Sequence, residues 1–318
     1  MRLRSRLPVP AIALLLAGAD RAHAQITAPP AVPLRVAGYL QPRETYQDGV
    51  GLTATLHRAR LLVDGTIPGG FSYRISGEFR SGGTATTKAE VALVDAFIRR
   101  SQAAWTVITG QFKTPFGREF LTPEPTLETA DRATVSESLP PKNDIGLMAA
   151  YAMGGHGAVF LGVFNGEGPN SVTNRDSTVL VIGRLTAHPV AALDVGANAA
   201  RYGADSTRYG VDAAWVQRAV TLRAEYIGQH RAGVGSDDYG WYGLAAYHVR
   251  PSVLVLVKQE DFLRPAVATA RRDLATTLGA TLDFSESRVR LYLDYVSRKI
   301  GSPGVRHGIL LTELQLRF

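Results

Sequence analysis

The stretch Phe71-Ser72-Tyr73-Arg74-Ile75-Ser76-Gly77-Glu78-Phe79-Arg80 alternates without a break. Phe71, Tyr73, Ile75, Gly77 and Phe79 fall on one side of an extended chain, while Ser72, Arg74, Ser76, Glu78 and Arg80 fall on the other. That is a strand with an apolar face and a charged one. The same rhythm recurs where Arg288, Arg290, Tyr292 and Asp294 alternate with Val289, Leu291, Leu293 and Tyr295, and again at the end, where Leu310, Thr312, Leu314, Leu316 and Phe318 share a face.

Extended along the chain, the alternation predicts sixteen strands, at about 34–46, 51–64, 70–80, 90–99, 103–113, 143–153, 156–165, 177–187, 190–202, 207–217, 220–230, 238–250, 252–263, 271–284, 287–298 and 305–318. Their lengths suit tilted strands crossing a bilayer. An even number of antiparallel strands can close on itself and remove the edges of an open sheet. Segments 156–165 and 177–187 fit least well, because Phe160, Leu161, Val163 and Phe164, like Leu180, Val181 and Ile182, put apolar groups on both faces. Tight links, such as Arg99-Arg100-Ser101-Gln102, Ala187-His188-Pro189 and Arg250-Pro251, largely take turns with longer ones at 81–89, 114–142, 166–176, 231–237, 264–270 and 299–304. A soluble sandwich has no reason to couple link length to strand direction, whereas an outer-membrane barrel does. The expected fold class is all-β: a 16-stranded antiparallel transmembrane β-barrel.

Composition bounds the rest. The chain has 318 residues and no Cys, with a formal charge of +7 and Arg as the bulk of its basic residues. Residues 1–24 read as a signal peptide: Arg2, Arg4 and Arg6 precede an apolar run from Ala11 to Ala19, and Ala22-His23-Ala24 offers a small-x-small cleavage site. The barrel domain is then 25–318. Export and a modest charge argue against a nucleic-acid partner. No apolar run reaches the roughly 18 residues of a membrane helix.

Catalysis finds little support. The sequence contains no G-x-S-x-G elbow, no H-E-x-x-H and no P-loop. Without Cys, thiolate chemistry is excluded. His57, His156, His188, His230, His248 and His307 are scattered without ligand spacing, and Asp237-Asp238 falls in a link. No enzyme activity, metal or cofactor is expected.

With the apolar faces turned to lipid, the charged faces line a bore. Arg35, Arg43, Arg58, Arg60, Arg74 and Arg80 then share the wall of the first three strands, opposed by Asp64 and Glu78. Guanidinium is always charged and offers a planar fork of donors to oxyanions, which suits an anion path. Farther along, Arg223 with Glu225, Arg290 with Asp294 and Lys258 with Glu260 read as wall pairs on one face. Tyr39, Tyr73, Tyr151, Trp215, Tyr226, Tyr239 and Trp241 read as belt aromatics, some of them facing the bore.

Gly110-Gln111-Phe112-Lys113-Thr114-Pro115-Phe116-Gly117-Arg118-Glu119-Phe120-Leu121-Thr122, followed by Asn143-Asp144-Ile145-Gly146, resembles the phosphate-selective porin O and P family. Leu56-His57-Arg58-Ala59-Arg60-Leu61 is similar to its basic second strand, and the terminal Phe318 resembles the end signal of outer-membrane barrels. The sequence departs from the pattern at Asn143, where members commonly carry Arg, and in the acidic interval Glu124, Glu128, Asp131 and Glu137. The resemblance implies a long loop, 114–142, folded into the lumen, and a homotrimer in the outer membrane of a Gram-negative-type cell, in contact with its lipid. It also implies passive diffusion of small hydrophilic solutes, anions such as phosphate among them. The candidate anion path is Arg35, Arg58, Arg60, Arg74, Lys113 and Arg118, the last two at the constriction with Glu119 as counter-charge or anchor. A general, weakly selective porin and a barrel serving as adhesin or assembly platform are the alternatives.

Overall fold

The computed structural model of the chain describes residues 34–81, 89–171, 173–174, 177–234, 236–264, 271–301 and 304–318. The expected signal peptide, 1–24, and most of the expected links 81–89 and 264–270 lie outside these residues.

Sixteen strands are present among the described residues. The first five are β1 (Leu34–Gln47), β2 (Gly51–Ile67), β3 (Phe71–Ser81), β4 (Ala89–Gln102) and β5 (Trp105–Lys113). After a long link come β6 (Asn143–Ala152), β7 (Gly157–Phe164), β8 (Leu180–Val190), β9 (Leu193–Tyr202), β10 (Ser206–Gln217) and β11 (Val220–Arg231). The last five are β12 (Asp238–Arg250), β13 (Val253–Arg264), β14 (Arg271–Phe284), β15 (Val289–Gly301) and β16 (Gly304–Arg317). Each pairs antiparallel with its sequence neighbours, and β1 pairs with β16, so the sheet closes into a barrel.

The closing seam runs between the two ends of the sheet. Gly38 and Phe318 exchange backbone hydrogen bonds of 2.9 and 3.1 Å, and Gln41 Nε2 donates to Gln315 Oε1 at 2.9 Å. The Phe318 ring lies against Gly38, where a Cβ would meet it at 2.7 Å and the Arg60 carbonyl at 2.5 Å. Only Gly leaves room there.

Burial is inverted relative to a water-soluble core. Leu161, Val163, Val211, Val257 and Leu278 are exposed, while Lys258, Glu313, Asp294 and Gln315 are buried. Apolar residues therefore face out from the wall and charged ones face the bore, as a lipid-facing barrel requires. Among the described residues no helix is long and apolar enough to cross a membrane. The doubly apolar strands have a specific cause. Phe164, Leu180 and Ile182 on the inner faces of β7 and β8 are buried in an apolar cluster inside the barrel, while Leu161, Val163 and Val181 face outward.

Several expected boundaries shift. Arg99-Arg100-Ser101-Gln102 is not a link: β4 runs through it and the turn falls at 103–104, where Ala103 takes φ 51°. Ala187-His188-Pro189 belongs to β8, whose pairing with β9 slips between Ala187 and Val190. A bulge accommodates Pro189, which has no N–H for the ladder. The expected longer link at 299–304 shrinks, since β15 reaches Gly301 and β16 resumes at Gly304.

A second bulge matters more. The β1–β2 register passes from Gln41↔Arg58 to Pro42↔Leu56, leaving His57 as the extra residue. Both His57 and Arg58 then reach inward, to Glu313 and Glu124, each at 2.8 Å.

Candidate functional site: the inner loop and a basic cavity

The link after β5 carries α1 (Arg118–Leu121), a 3-10 turn at Glu124–Thr126 and α2 (Thr134–Ser138). It starts with a sharp redirection at Pro115-Phe116-Gly117. Gly117 has φ 71°, a conformation L side chains rarely adopt, and its N–H donates to Asn198 Oδ1 of β9 at 2.9 Å. A Cβ there would meet Glu225 Oε1 at 2.7 Å.

One side of the loop is apolar. Phe116, Ala133, Val135 and Leu139 join a buried cluster with Leu180, Ile182, Ile227, Leu244 and Phe262. The other side is pinned by polar groups. Arg118 Nε donates to Asp212 at 2.8 Å, and Glu225 accepts the Arg118 backbone N–H at 2.8 Å. The Thr134 N–H donates to Glu260 at 2.7 Å, and the Ala130 N–H to Asp294 at 2.8 Å. Lys258 Nζ reaches the Asp131 carbonyl at 2.9 Å, and Gln315 Nε2 reaches the Pro125 carbonyl at 3.2 Å. Arg43 pairs with Asp131 at 2.9 Å. These partners lie on β1, β9, β10, β11, β13, β15 and β16, and all sit on inward faces. The segment is thus tied to strands from around the ring.

Expected wall pairs are thereby redistributed. Arg223 pairs with Glu128 of the loop at 2.8 Å, rather than with Glu225, whose oxygens take loop N–H groups. Arg290 pairs with Asp283, its directly opposite cross-strand neighbour, at 2.6 Å, leaving Asp294 to the loop. Same-face residues two apart on one strand (Arg223 and Glu225) or four apart (Arg290 and Asp294) lie farther from each other than residues opposite across strands, so here the cross-strand or loop partner wins. Lys258 and Glu260 do pair, at 3.3 Å.

Within the loop, Glu124 sits between Arg132 and Arg58. Burial alone would raise its carboxyl, but the two guanidinium groups outweigh that and bring it from 4.5 to about 2. The folded chain thus favours the charged form, so the pin is complete above about pH 4.5 and is lost as the pH falls towards about 2. Loop-generated current noise is expected to rise across that window, and to be present already at neutral pH in Glu124→Gln. A Gln variant as quiet as the parent at pH 7 would contradict the pin. Glu119 acts as an anchor, not as a counter-charge in the bore: it is buried and accepts the Ala133 N–H at 2.9 Å, tying α1 to the start of α2. Burial pushes its carboxyl above the ordinary value.

A cavity of about 830 Å³ remains between the loop residues Leu121–Thr126 and the wall of β1–β5. Arg35, Arg60, Arg74, Arg99, Lys113, Arg288 and Arg317 line it, against the carboxylates of Asp95 and Glu124. Tyr39, Leu62, Phe97 and Phe112 supply an apolar wall. The Arg35, Arg288 and Arg317 positions lie near the barrel end where the short turns are.

The six sequence-derived candidates are distributed unevenly. Arg35 and Arg74 both pair with Asp64, at 3.3 and 2.7 Å. Arg60 pairs with the buried Glu78, and Arg58 with Glu124 at 2.8 Å. Lys113 Nζ donates to the Phe120 carbonyl at 2.7 Å and has no carboxylate partner among the described residues. Arg118 is drawn to Asp212 on β10, and neither it nor Arg58 lines the cavity, so of the six the structure brings together Arg35, Arg60, Arg74 and Lys113. Sequence reasoning missed Arg99, Arg288 and Arg317, which also lack ion-pair partners among the described residues. The signal for Arg99 was its place on the same face as Phe97, obscured by assigning 99–102 to a turn. Tyr39 turned inward, beneath the Arg60 guanidinium at 5.5 Å.

Comparisons with known proteins agree with this architecture. Solved structures with the same fold include a loop-deletion mutant of OmpT, an outer membrane protein of Vibrio cholerae, at 12% identity and TM-score 0.68, covering 91% of this chain and 100% of that one. The outer membrane channel DcaP of Acinetobacter baumannii matches at 13% identity and TM-score 0.68, covering 90% and 97%. A mutant of the Rh. blastica porin matches at 16% identity and TM-score 0.61, covering 90% and 100%. No functionally curated protein matches the chain. The model of phosphate-selective porin O and P matches residues 39–202. A closed sixteen-strand barrel and a family match across half the sequence give one conclusion: the chain belongs to the phosphate-selective porin O and P family.

Proposed function

We propose that this porin resides in the outer membrane of a Gram-negative-type cell, exported by residues 1–24, and lets small hydrophilic anions diffuse passively past its inner loop. The observation that carries the reading is the set of cavity guanidinium groups without a carboxylate partner among the described residues: Arg99, Arg288 and Arg317. In a wet bore each attracts an anion by about 1 kcal/mol at 4 Å, and by about 4 kcal/mol at an effective dielectric of 20, enough to concentrate anions without trapping them. Phosphate is among the solutes such cations would accept. Passive diffusion asks for no catalytic group, metal or cofactor. A homotrimer is supported by the family and by a related outer membrane protein of Vibrio cholerae described in a trimer form.

A weakly selective general porin is the second reading, favoured by the carboxylates that neutralise Arg58, Arg60 and Arg74. The reversal potential of single channels across a salt gradient separates the two. The parent channel is expected to prefer chloride over potassium. Arg99→Glu orphans no carboxylate, and a two-unit charge change acting at about 8 Å in bulk-like water is worth roughly 1 kcal/mol, so the preference should fall about fivefold at low salt. An unchanged reversal potential in Arg99→Glu would remove that residue from the path. No conductance at all would favour a platform role.

A further inference from the structure

We infer that the basic cavity is a binding station for organic carboxylates carrying a flat apolar body, rather than for inorganic phosphate. This rests on the anion-porin reading above and names the class of anion.

Size is the first argument. At about 830 Å³ the cavity matches pockets that enclose drug-sized ligands. Inorganic phosphate displaces only about two to three waters of roughly 30 Å³ each, so the cavity has room for an anion that carries an organic body as well.

The wall is the second argument. The cavity cations are set against rings: the Arg99 and Arg74 guanidinium groups lie 5.3 and 6.0 Å from the Phe97 ring centroid, and Lys113 Nζ lies 4.9 Å from that of Phe120. Phe97 meets Phe112 edge-on at 6.0 Å. Rings placed there hold the guanidinium planes and keep water from one side of them. A multiply charged inorganic anion gains nothing from such a surface and loses hydration against it. A carboxylate on an aromatic body uses both halves: its oxygens accept from Arg99 or Lys113 while its ring lies on Phe97 and Leu62.

The test uses the full-length chain in planar bilayers, with benzoate, acetate and phosphate added separately at equal ionic strength and pH 7 while chloride current is recorded. Benzoate is expected to half-block the current at a concentration about tenfold below acetate and below phosphate. Phe97→Ala should bring benzoate to within about threefold of acetate. Arg99→Lys keeps the charge but loses the planar group, so it should shrink the benzoate advantage in the same direction, and it serves where Phe97→Ala yields no folded barrel. Equal block by acetate and benzoate, or phosphate as the strongest blocker, would overturn the inference while leaving an anion preference in the reversal potential intact. A parent channel that prefers potassium would overturn the anion-porin reading and this inference with it.

Discussion

Arg58→Glu combined with Arg60→Glu is expected to unseat the inner loop and destabilise the barrel, not merely to change ion preference. From face assignment alone both residues stand on the wet wall, and charge reversal there should alter selectivity with the fold intact. The structure gives each a buried partner instead. Arg58 holds Glu124 at 2.8 Å, and Arg60 holds Glu78, which is only 3% exposed. The double change would bring four carboxylates together, with Arg132 left as the near counter-charge to Glu124. Breaking a buried pair by removing one partner costs about 3–5 kcal/mol. The expected result is a lower temperature for losing the folded, fast-migrating form on gels, together with larger and noisier single-channel currents. If the double variant keeps both its parent's unfolding temperature and its quiet conductance, those pairs do not hold the loop.

Phe116→Ala is expected to have an effect of similar size through different physics. The Phe116 side chain is 0% exposed and is the largest apolar group that the loop inserts into the cluster with Leu180, Ile182 and Ile227. Truncating a buried Phe costs about 3–5 kcal/mol, from lost transfer and the cavity left behind. The strand ladder itself is untouched, so the loss should fall on loop docking: conductance rises, open-state noise grows, and protease nicking within 114–142 becomes detectable on the intact barrel. A variant with unaltered conductance and no new cleavage would show that polar pins such as Thr134 to Glu260 hold the loop alone.

The barrel was legible because alternation is a property of each strand by itself. FSYRISGEFR at 71–80 and the final Leu310–Phe318 stretch state their two faces without reference to any neighbour. The doubly apolar strands β7 and β8 fitted least well because their inner faces cover a part of the loop more than forty residues upstream in the chain, a partnership no local window contains. Charge pairing was less legible still. Arg223 and Arg290 each had a plausible carboxylate nearby in sequence, but register and the loop decided otherwise. The bulge that turns both His57 and Arg58 inward, and the extension of β4 that brings Arg99 to the cavity, are likewise consequences of pairing rather than of composition.

The seam between Gly38 and Phe318 fixes when the wall can be sealed. Its partners are among the most distant in the sequence, with Gln41 and Gln315 separated by 274 positions. A chain delivered from its amino end therefore holds one edge of β1 as an unpaired margin until β16 has arrived, and that margin is available to any other strand in the meantime. Sealing of the wall therefore waits on β16, and the free edge of β1 stays open throughout the interval before it.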